Sequence, residues 1–511
     1  ARSPRGQRHL PLCSLVVVMR VQVFSRLSVV PVWALVLVLV LVLVAMGVVA
    51  DPAVVSILDH GAIPGEDTVA ASHANAQAIF QAAVAANATA SPSQPATVLI
   101  PAGKSFSVLN VAPLLNLQDV VFQIDGTLLL CTDIDAWPKR TDISVTLAAL
   151  YIGHSQRVTV LGTGTVDGRG YQWWWNTIIT TVDNRPILLA MDHCVDVTIH
   201  SVYWKNSPYY HLNLRDQKNL VVRDLTIYVS VEEQANLLRQ HGHWQALPAE
   251  AVEMRRQRWL SGTHGMLGDA AEYLPSEELL SGIPTYPLNT DGIDPSGVNI
   301  LIENVIITSF DDAVAVKPLA GGSPIATCSE SIIVRNCTVY FSVGMTIGSV
   351  PPNTGVNCVR NVSFSDIIMH EPFKAIYIKT NPGDKGSGLI DQISYRQFKA
   401  IGSLWYPIWI GPQQQDQPGG KSNTGCSFFY PVVPTCPTQP RVPVTRISLE
   451  DVTLTEGITL PGVLLCNSTV PCSEFSFRNV INTGIWGIMP DYVCENVQGS
   501  QSGNQPPPLC F

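Results

Sequence analysis

The chain has 511 residues, of which 46% are apolar and only 14% charged. That balance excludes bulk disorder, and the length exceeds one ordinary mixed domain while suiting a repeat fold or a barrel. The net charge is −9; the first 50 residues hold five Arg and no acid, so residues 51–511 carry 26 basic against 40 acidic groups, which argues against a nucleic-acid partner, whose phosphates need a cationic surface.

Residues 1–50 read as a leader. From Met19 as the start, Arg20 and Arg26 make a positive segment, and Val29 to Ala50 is an uncharged apolar run ending in small residues before Asp51-Pro52. This order predicts a secretory signal peptide cleaved after Ala50 and hence an extracellular protein. The alternative is an anchor formed by residues 29–50, since about 20 apolar residues can span a bilayer. The domain proper is then 51–511.

Asn75 to Ala88 is Ala-rich and amphipathic and predicts a helix that caps the open end of a solenoid. Beyond it one pattern recurs: alternating apolar residues, a polar pair, then more apolar residues. Examples are VTIHSVYW at 197, VVRDLTIY at 221, LIENVIIT at 301, IIVRNCTVY at 332, VSFSDIIMH at 362, ISYRQFKAI at 393, ISLEDVTLT at 447 and FSFRNVINT at 475. Period-2 apolarity in short runs means strands, and most neighbouring copies are about 23 to 32 residues apart. Such a repeat predicts an all-β, single-stranded, right-handed parallel β-helix, one coil per repeat. An antiparallel sandwich would need hairpin signals that the intervals lack. Asn304, Asn336 and Asn479 are expected in inward Asn ladders or strand-ending turns. Two intervals break the rhythm. Residues 231–286 are charged, poor in β-branched types and predict a helical insertion; residues 411–443, rich in Gly, Pro, Gln and Ser, predict a long loop tied by Cys426 and Cys436.

Eleven of the twelve Cys lie beyond the leader, and Cys328/Cys337, Cys426/Cys436, Cys466/Cys472 and Cys494/Cys510 are close pairs. Their spacing suits short disulfide loops in an oxidising compartment, with connectivity open and at least one thiol unpaired. No pair has the CxxC spacing of a zinc site. Sequons at Asn87, Asn336, Asn361 and Asn467 are compatible with glycosylation.

The densest acidic constellation is NTDGIDPSG at 289–297 followed by SFDDAVAVKP at 309–318. Asp291 precedes Asp311 and Asp312 by 20 and 21 residues, close to one coil, which places the carboxylates roughly 5 Å apart along the axis. Converging carboxylates raise at least one pKa, and glycoside hydrolysis needs that division into a protonated acid and an ionised base. Calcium binding is the rival use, but the dense D-x-D-x-D-G loop is missing.

These residues carry a resemblance. NTDG with DD about twenty residues on resembles the glycoside hydrolases of the polygalacturonase type, family 28. DGRGYQWWW at 167–175, NSPYYHL at 206–212, MTIGS at 345–349, YIKT at 377–380, LLCNSTVPC at 464–472 and the VCENVQG…C segment at 493–510 resemble further segments of that family. The resemblance implies a parallel β-helix, an inverting mechanism, no cofactor and no metal. By position Asp311 matches the general acid, Asp291 and Asp312 the pair that activates water, and Lys379 a binder of substrate carboxylate; Tyr377, Lys317 and Asn289 complete the expected substrate-binding set.

Two departures stand out. The family's G-H-G reads Ser342-Val343-Gly344, and the Arg of its R-I-K is Tyr377. Both remove polar groups where an anionic sugar should bind, and both resemble rhamnogalacturonan-cleaving relatives, whereas Asp311-Asp312 follows the polygalacturonases. Because an acidic chain repels a polyuronate within the ~8 Å screening length, binding must use local cations: Lys317, Lys374 and Lys379. For Lys317 and Lys374 the ordinary expectation is a solvated strand-end lysine. Of Trp173, Trp174 and Trp175, at least one is expected to face outward, as a sugar platform or in packing; His211 is expected to be structural. The function expected is hydrolysis of α-linked galacturonate bonds in pectin, an acidic cell-wall polysaccharide, by a secreted monomer. Carboxyl groups 6.5 to 9.5 Å apart would fit inversion. The alternatives are hydrolysis of rhamnogalacturonan or another pectic polymer, a pectin-binding protein with an impaired site, and a lyase.

Overall fold

The alternating repeats fold into stacked parallel strands, because each coil's apolar face is buried only by the coils above and below it. In the computed structural model the described residues are 53–138, 147–171, 173–174, 184–230, 287–319, 323–352, 355–381, 383, 385–414, 426–484 and 491–511. Pro52–Phe511 forms one unit and Ala1–Asp51 another. The leader, the insertion at 231–286 and Trp175 lie outside the described residues. Among the described residues 26 strands form one sheet, and the strands pair in parallel from coil to coil. The fold is the predicted right-handed parallel β-helix, the hand that parallel crossovers almost always take.

The interior is a set of aligned rows. Ile302, Val334, Phe364, Tyr395, Leu449 and Phe477 are register partners in succession, and all are buried. Phe364 and Tyr395 stack with centroids 4.7 Å apart. The parallel row Val305, Cys337, Ile367, Phe398 and Val452 runs beside it. Cys337 therefore points into the core and is not bonded to Cys328, its near neighbour in sequence. Cys328 instead faces Cys358 across one coil and bonds to it. The pairs Cys426–Cys436, Cys466–Cys472 and Cys494–Cys510 form as their spacing suggested, and Cys131, Cys194 and Cys337 are free and buried.

The long strands bend at residues with left-handed φ, a conformation Asn and Asp tolerate. Asn304, Asn336 and Asn479 sit at φ 56°, 51° and 55°. Their ladders run along the outside: Asn304 Nδ2 donates to Asp224 at 2.9 Å, Asn336 Nδ2 to Asn304 at 2.7 Å and Asn479 Nδ2 to Asp451 at 2.8 Å. Of the two placements expected, inward ladders do not form and the asparagines sit at bends, because an αL bend turns the side chain out of the pleat.

The capping helix spans Val69–Thr89, starting six residues earlier than predicted, because the Thr68 side chain accepts from Ala71 N at 3.1 Å and caps it. Its Ala76, Ile79, Ala82, Ala83 and Ala86 join the core at the first coils. The strand Ile408–Pro412 enters the span predicted as loop, so the irregular segment begins at Gln413. Trp173 and Trp174 are buried on a short helical turn, Trp173 edge-on to Trp137 at 5.8 Å and Trp174 donating to Ser207 O at 3.1 Å. Neither is a platform. Among the described residues no helix is long and apolar enough to cross a membrane.

Candidate active site

A row of short strands, Asp312–Val316, Gly344–Val350, Ile376–Thr380, Ile408–Pro412 and Gly462–Leu465, builds the site. Val314, Met345, Ile376 and Ile408 are register partners on the core side. The alternation then sends Thr346, Tyr377, Trp409 and Lys379 to the opposite face. Ile293, paired with Val314, sets the neighbouring segment in the same way, and Gly292 N donates to the Asp312 carbonyl at 2.9 Å. Asp291 and the Asp311–Asp312 pair thus meet on adjacent coils, as their spacing predicted.

One oxygen from each of Asp291, Asp311 and Asp312 lies within 4.8 Å of the other two. This is a distance between nearest oxygens, a different measure from the carboxyl-to-carboxyl separation of roughly 6.5 to 9.5 Å expected for inversion. Oxygens as close as those of this trio can share one water at ~2.8 Å from each. Asp291 and Asp312 are buried and Asp311 is half-buried. Asp312 is the most tightly held: Lys379 Nζ donates to Oδ2 at 2.6 Å and Thr346 Oγ1 to Oδ1 at 2.7 Å. Asp311 Oδ1 accepts from Asp312 N at 2.9 Å and Oδ2 from Asn289 N at 3.1 Å. Its carbonyl accepts from Ser342 Oγ at 2.9 Å and Val343 N at 2.8 Å. Asp291 Oδ1 has no hydrogen-bond partner among the described residues.

These surroundings pull the carboxyls apart. Burial, then Asp294 and Asp311, push Asp291 well above the usual carboxylate range. Burial and Asp312 raise Asp311. Burial opposes ionisation of Asp312 too, but Lys379, Lys317 and the two hydrogen bonds outweigh it and hold that carboxyl low. A neutral acid beside an ionised base is the division that acid–base hydrolysis needs.

Asp294 was not singled out in the sequence, though it lies in the same NTDGID run. Its carboxyl is buried, with Lys317 Nζ 3.4 Å away and also 3.9 Å from Asp291. Burial pushes Asp294 up to about 6. The folded state therefore binds its proton more tightly than the unfolded chain, so stability present at pH 4 falls as pH rises through about 6, by about 3 kcal/mol for a two-unit shift. Unfolding at pH 4.5 should need more denaturant than at pH 7, and Asp294→Asn should reduce the difference, with Asp291 and Asp311 supplying the rest. An unchanged slope in that variant would show that Asp294 does not titrate in this window.

Arg185 is the second residue the sequence hid. Buried and 104 residues from its partner, it donates to Asn289 Oδ1 at 3.0 Å and to the Leu288 carbonyl, and lies 4.5 Å from the centre of the Tyr209 ring. Asn289, at φ 59°, thus has its amide oxygen in an ordering contact with Arg185 and its N–H on Asp311. His211 is structural as expected: Ser207 N donates to Nε2 at 3.2 Å, leaving Nδ1 to donate to the Asp291 carbonyl at 3.0 Å. Burial lowers its pKa to about 4, so it stays neutral.

Lys317 and Lys374 are not solvated strand-end lysines. Lys317 is only partly exposed, beside two acids. Lys374 is 3% exposed, with its ammonium 4.6 Å from the ring centre of Tyr377, 5.1 Å from Phe373 and 5.9 Å from Trp409. Tyr377 is buried as well, and its hydroxyl accepts from Gln414 N at 3.2 Å.

Residues 91–503 match the family described as glycosyl hydrolases family 28. A polygalacturonase of Chamaecyparis obtusa is 23% identical over 418 residues, 80% of this chain and 64% of that protein, so the chain spans less than two thirds of that relative's length. An exopolygalacturonase of Cochliobolus carbonum is 22% identical over 79% of this chain and 78% of its own. In structure the chain resembles the endo-xylogalacturonan hydrolase of Aspergillus tubingensis, with TM-score 0.60, 18% identity and 88% and 100% of the two chains covered. It also resembles an exopolygalacturonase from Thermotoga maritima, with TM-score 0.55, 16% identity and 89% and 93% covered. With the profile match covering most of the chain, this protein belongs to family 28 of the glycosyl hydrolases.

Proposed function

We propose that the chain hydrolyses α-linked galacturonate bonds in pectin, outside the cell and as a monomer. The observation that carries this reading is the trio Asp291, Asp311 and Asp312, with oxygens within 4.8 Å and opposite protonation tendencies. Asp311, the most accessible of the three, protonates the glycosidic oxygen as the bond to the anomeric carbon breaks. Asp312, kept ionised by Lys379, takes a proton from water as that water's oxygen attacks the same carbon. Asp291 orients the water through its free Oδ1. A water shared between oxygens of Asp291 and Asp312 attacks without a covalent intermediate, which makes the reaction inverting. The names of relatives in conifers and fungi, polygalacturonase and exopolygalacturonase, support the substrate class, and four disulfides support an oxidising compartment. The test is incubation with polygalacturonate and with rhamnogalacturonan. New reducing ends from the first, without products absorbing in the ultraviolet, support the reading; unsaturated products would mean a lyase, and retention of the polymer without turnover a binding protein.

A further inference from the structure

Resting on that reading, the site has one more cation than its acids use. Lys379 is committed to Asp312 at 2.6 Å, and Lys317 lies between Asp291 and Asp294. Lys374 has no hydrogen-bond or ion-pair partner among the described residues, although it is 3% exposed. A buried ammonium without an anion is costly. Aromatic faces surround its ammonium at 4.6 to 5.9 Å, and they favour a cation but do not neutralise it.

Its place is informative. Asp312 pairs with Gly344, and Met345 with Ile376, so Lys374 lies two coils from Asp312, roughly 10 Å along the axis. Burial and Lys379 act against its charge, and Asp312 and Asp311 offset them only in part. The turn carrying Val343 lies against it: Phe373 N donates to Ser342 O at 2.7 Å, and a Cβ on Gly344 would meet the Lys374 carbonyl at 3.2 Å and Tyr377 Cβ at 3.4 Å. Val343 packs on the apolar cluster that contains Tyr377 and Trp409. Both departures from the family pattern, Val343 and Tyr377, therefore line one wall around one unanswered lysine.

We propose that Lys374 binds the carboxylate of a galacturonate unit in the trough, supplying from a cage of Phe373, Tyr377 and Trp409 the positive charge that Tyr377 does not. The low-dielectric wall strengthens the pairing. Burial, then Lys379, lowers the lysine to about 7, so it is charged in a mildly acidic medium.

The test is calorimetric binding of a galacturonate oligomer to the full chain carrying Asp311→Asn, which prevents turnover, with and without Lys374→Met. The expected result is roughly ten- to a hundredfold weaker binding and a weaker salt dependence, with Lys374→Arg retaining most of the affinity. A methyl-esterified oligomer should bind both chains alike. The Tm of Lys374→Met should equal or exceed the parent's, because an unpaired buried charge is removed; a lysine kept for structure would lower it. Parental affinity in Lys374→Met would overturn this assignment and leave the hydrolase reading intact. An Asp311→Asn chain that binds neither oligomer would instead sink the hydrolase reading and this one with it.

Discussion

Replacing Asp311 by Asn should lower kcat on polygalacturonate by roughly 10²- to 10⁴-fold, the contribution of a positioned general acid, with little change in KM. The amide cannot release a proton, but it keeps the shape, and one oxygen remains to accept from Asn289 N or Asp312 N. The loss should depend on the leaving group. An aryl galacturonide, whose phenolate departs without protonation, should be cleaved by the variant at nearly the parental rate. Asp291→Asn should show no such recovery if Asp291 only orients water. The two must be compared, because Asp291 is pushed further up than Asp311, and interacting carboxyls titrate as a group. Recovery of Asp291→Asn in place of Asp311→Asn would exchange their roles.

The second large effect belongs to Lys379. Its ammonium and the Asp312 carboxylate are both buried and 2.6 Å apart. Lys379→Met leaves that carboxylate without its charge partner, which costs about 3–5 kcal/mol of stability. Asp312 is held below its usual pKa, so its pairing contributes above the unfolded value of about 3.9 and is lost as pH falls through the lowered folded value. The deficit should be complete at pH 7 and shrink towards pH 3. Asp312→Asn added to Lys379→Met should restore most of it, while activity stays lost. Denaturant unfolding of the four chains reads this as a double-mutant cycle; additive losses would mean that the two groups do not pair.

The fold was legible because the repeats state it locally. Eight segments alternate with period two, and stacking is the one way to bury them all. The meeting of Asp291 with Asp311 and Asp312 was legible for the same reason, since a spacing of about one coil becomes adjacency once the helix is wound. What stayed hidden depended on where side chains point or on distant segments. The outward Asn ladders follow from αL bends that alternation does not mark, and Cys337 looked like a disulfide partner until its row position turned it inward. Lys374 read as solvated because its cage comes partly from Trp409, 35 residues on and one coil away. Arg185 carried no signal, being a single arginine that reaches the NTDG turn from a separate coil. Asp294 could have been found: it directly follows the core residue Ile293, and strand alternation puts it on the trough side.

The most direct measurement is the proton NMR spectrum of a galacturonate oligomer in the first minutes of its cleavage, before the anomers equilibrate. Attack by water held between Asp291 and Asp312 predicts that the β-anomer of the new reducing end appears first from the α-linked substrate. The α-anomer first would mean a covalent carboxylate intermediate and contradict this assignment of the three aspartates.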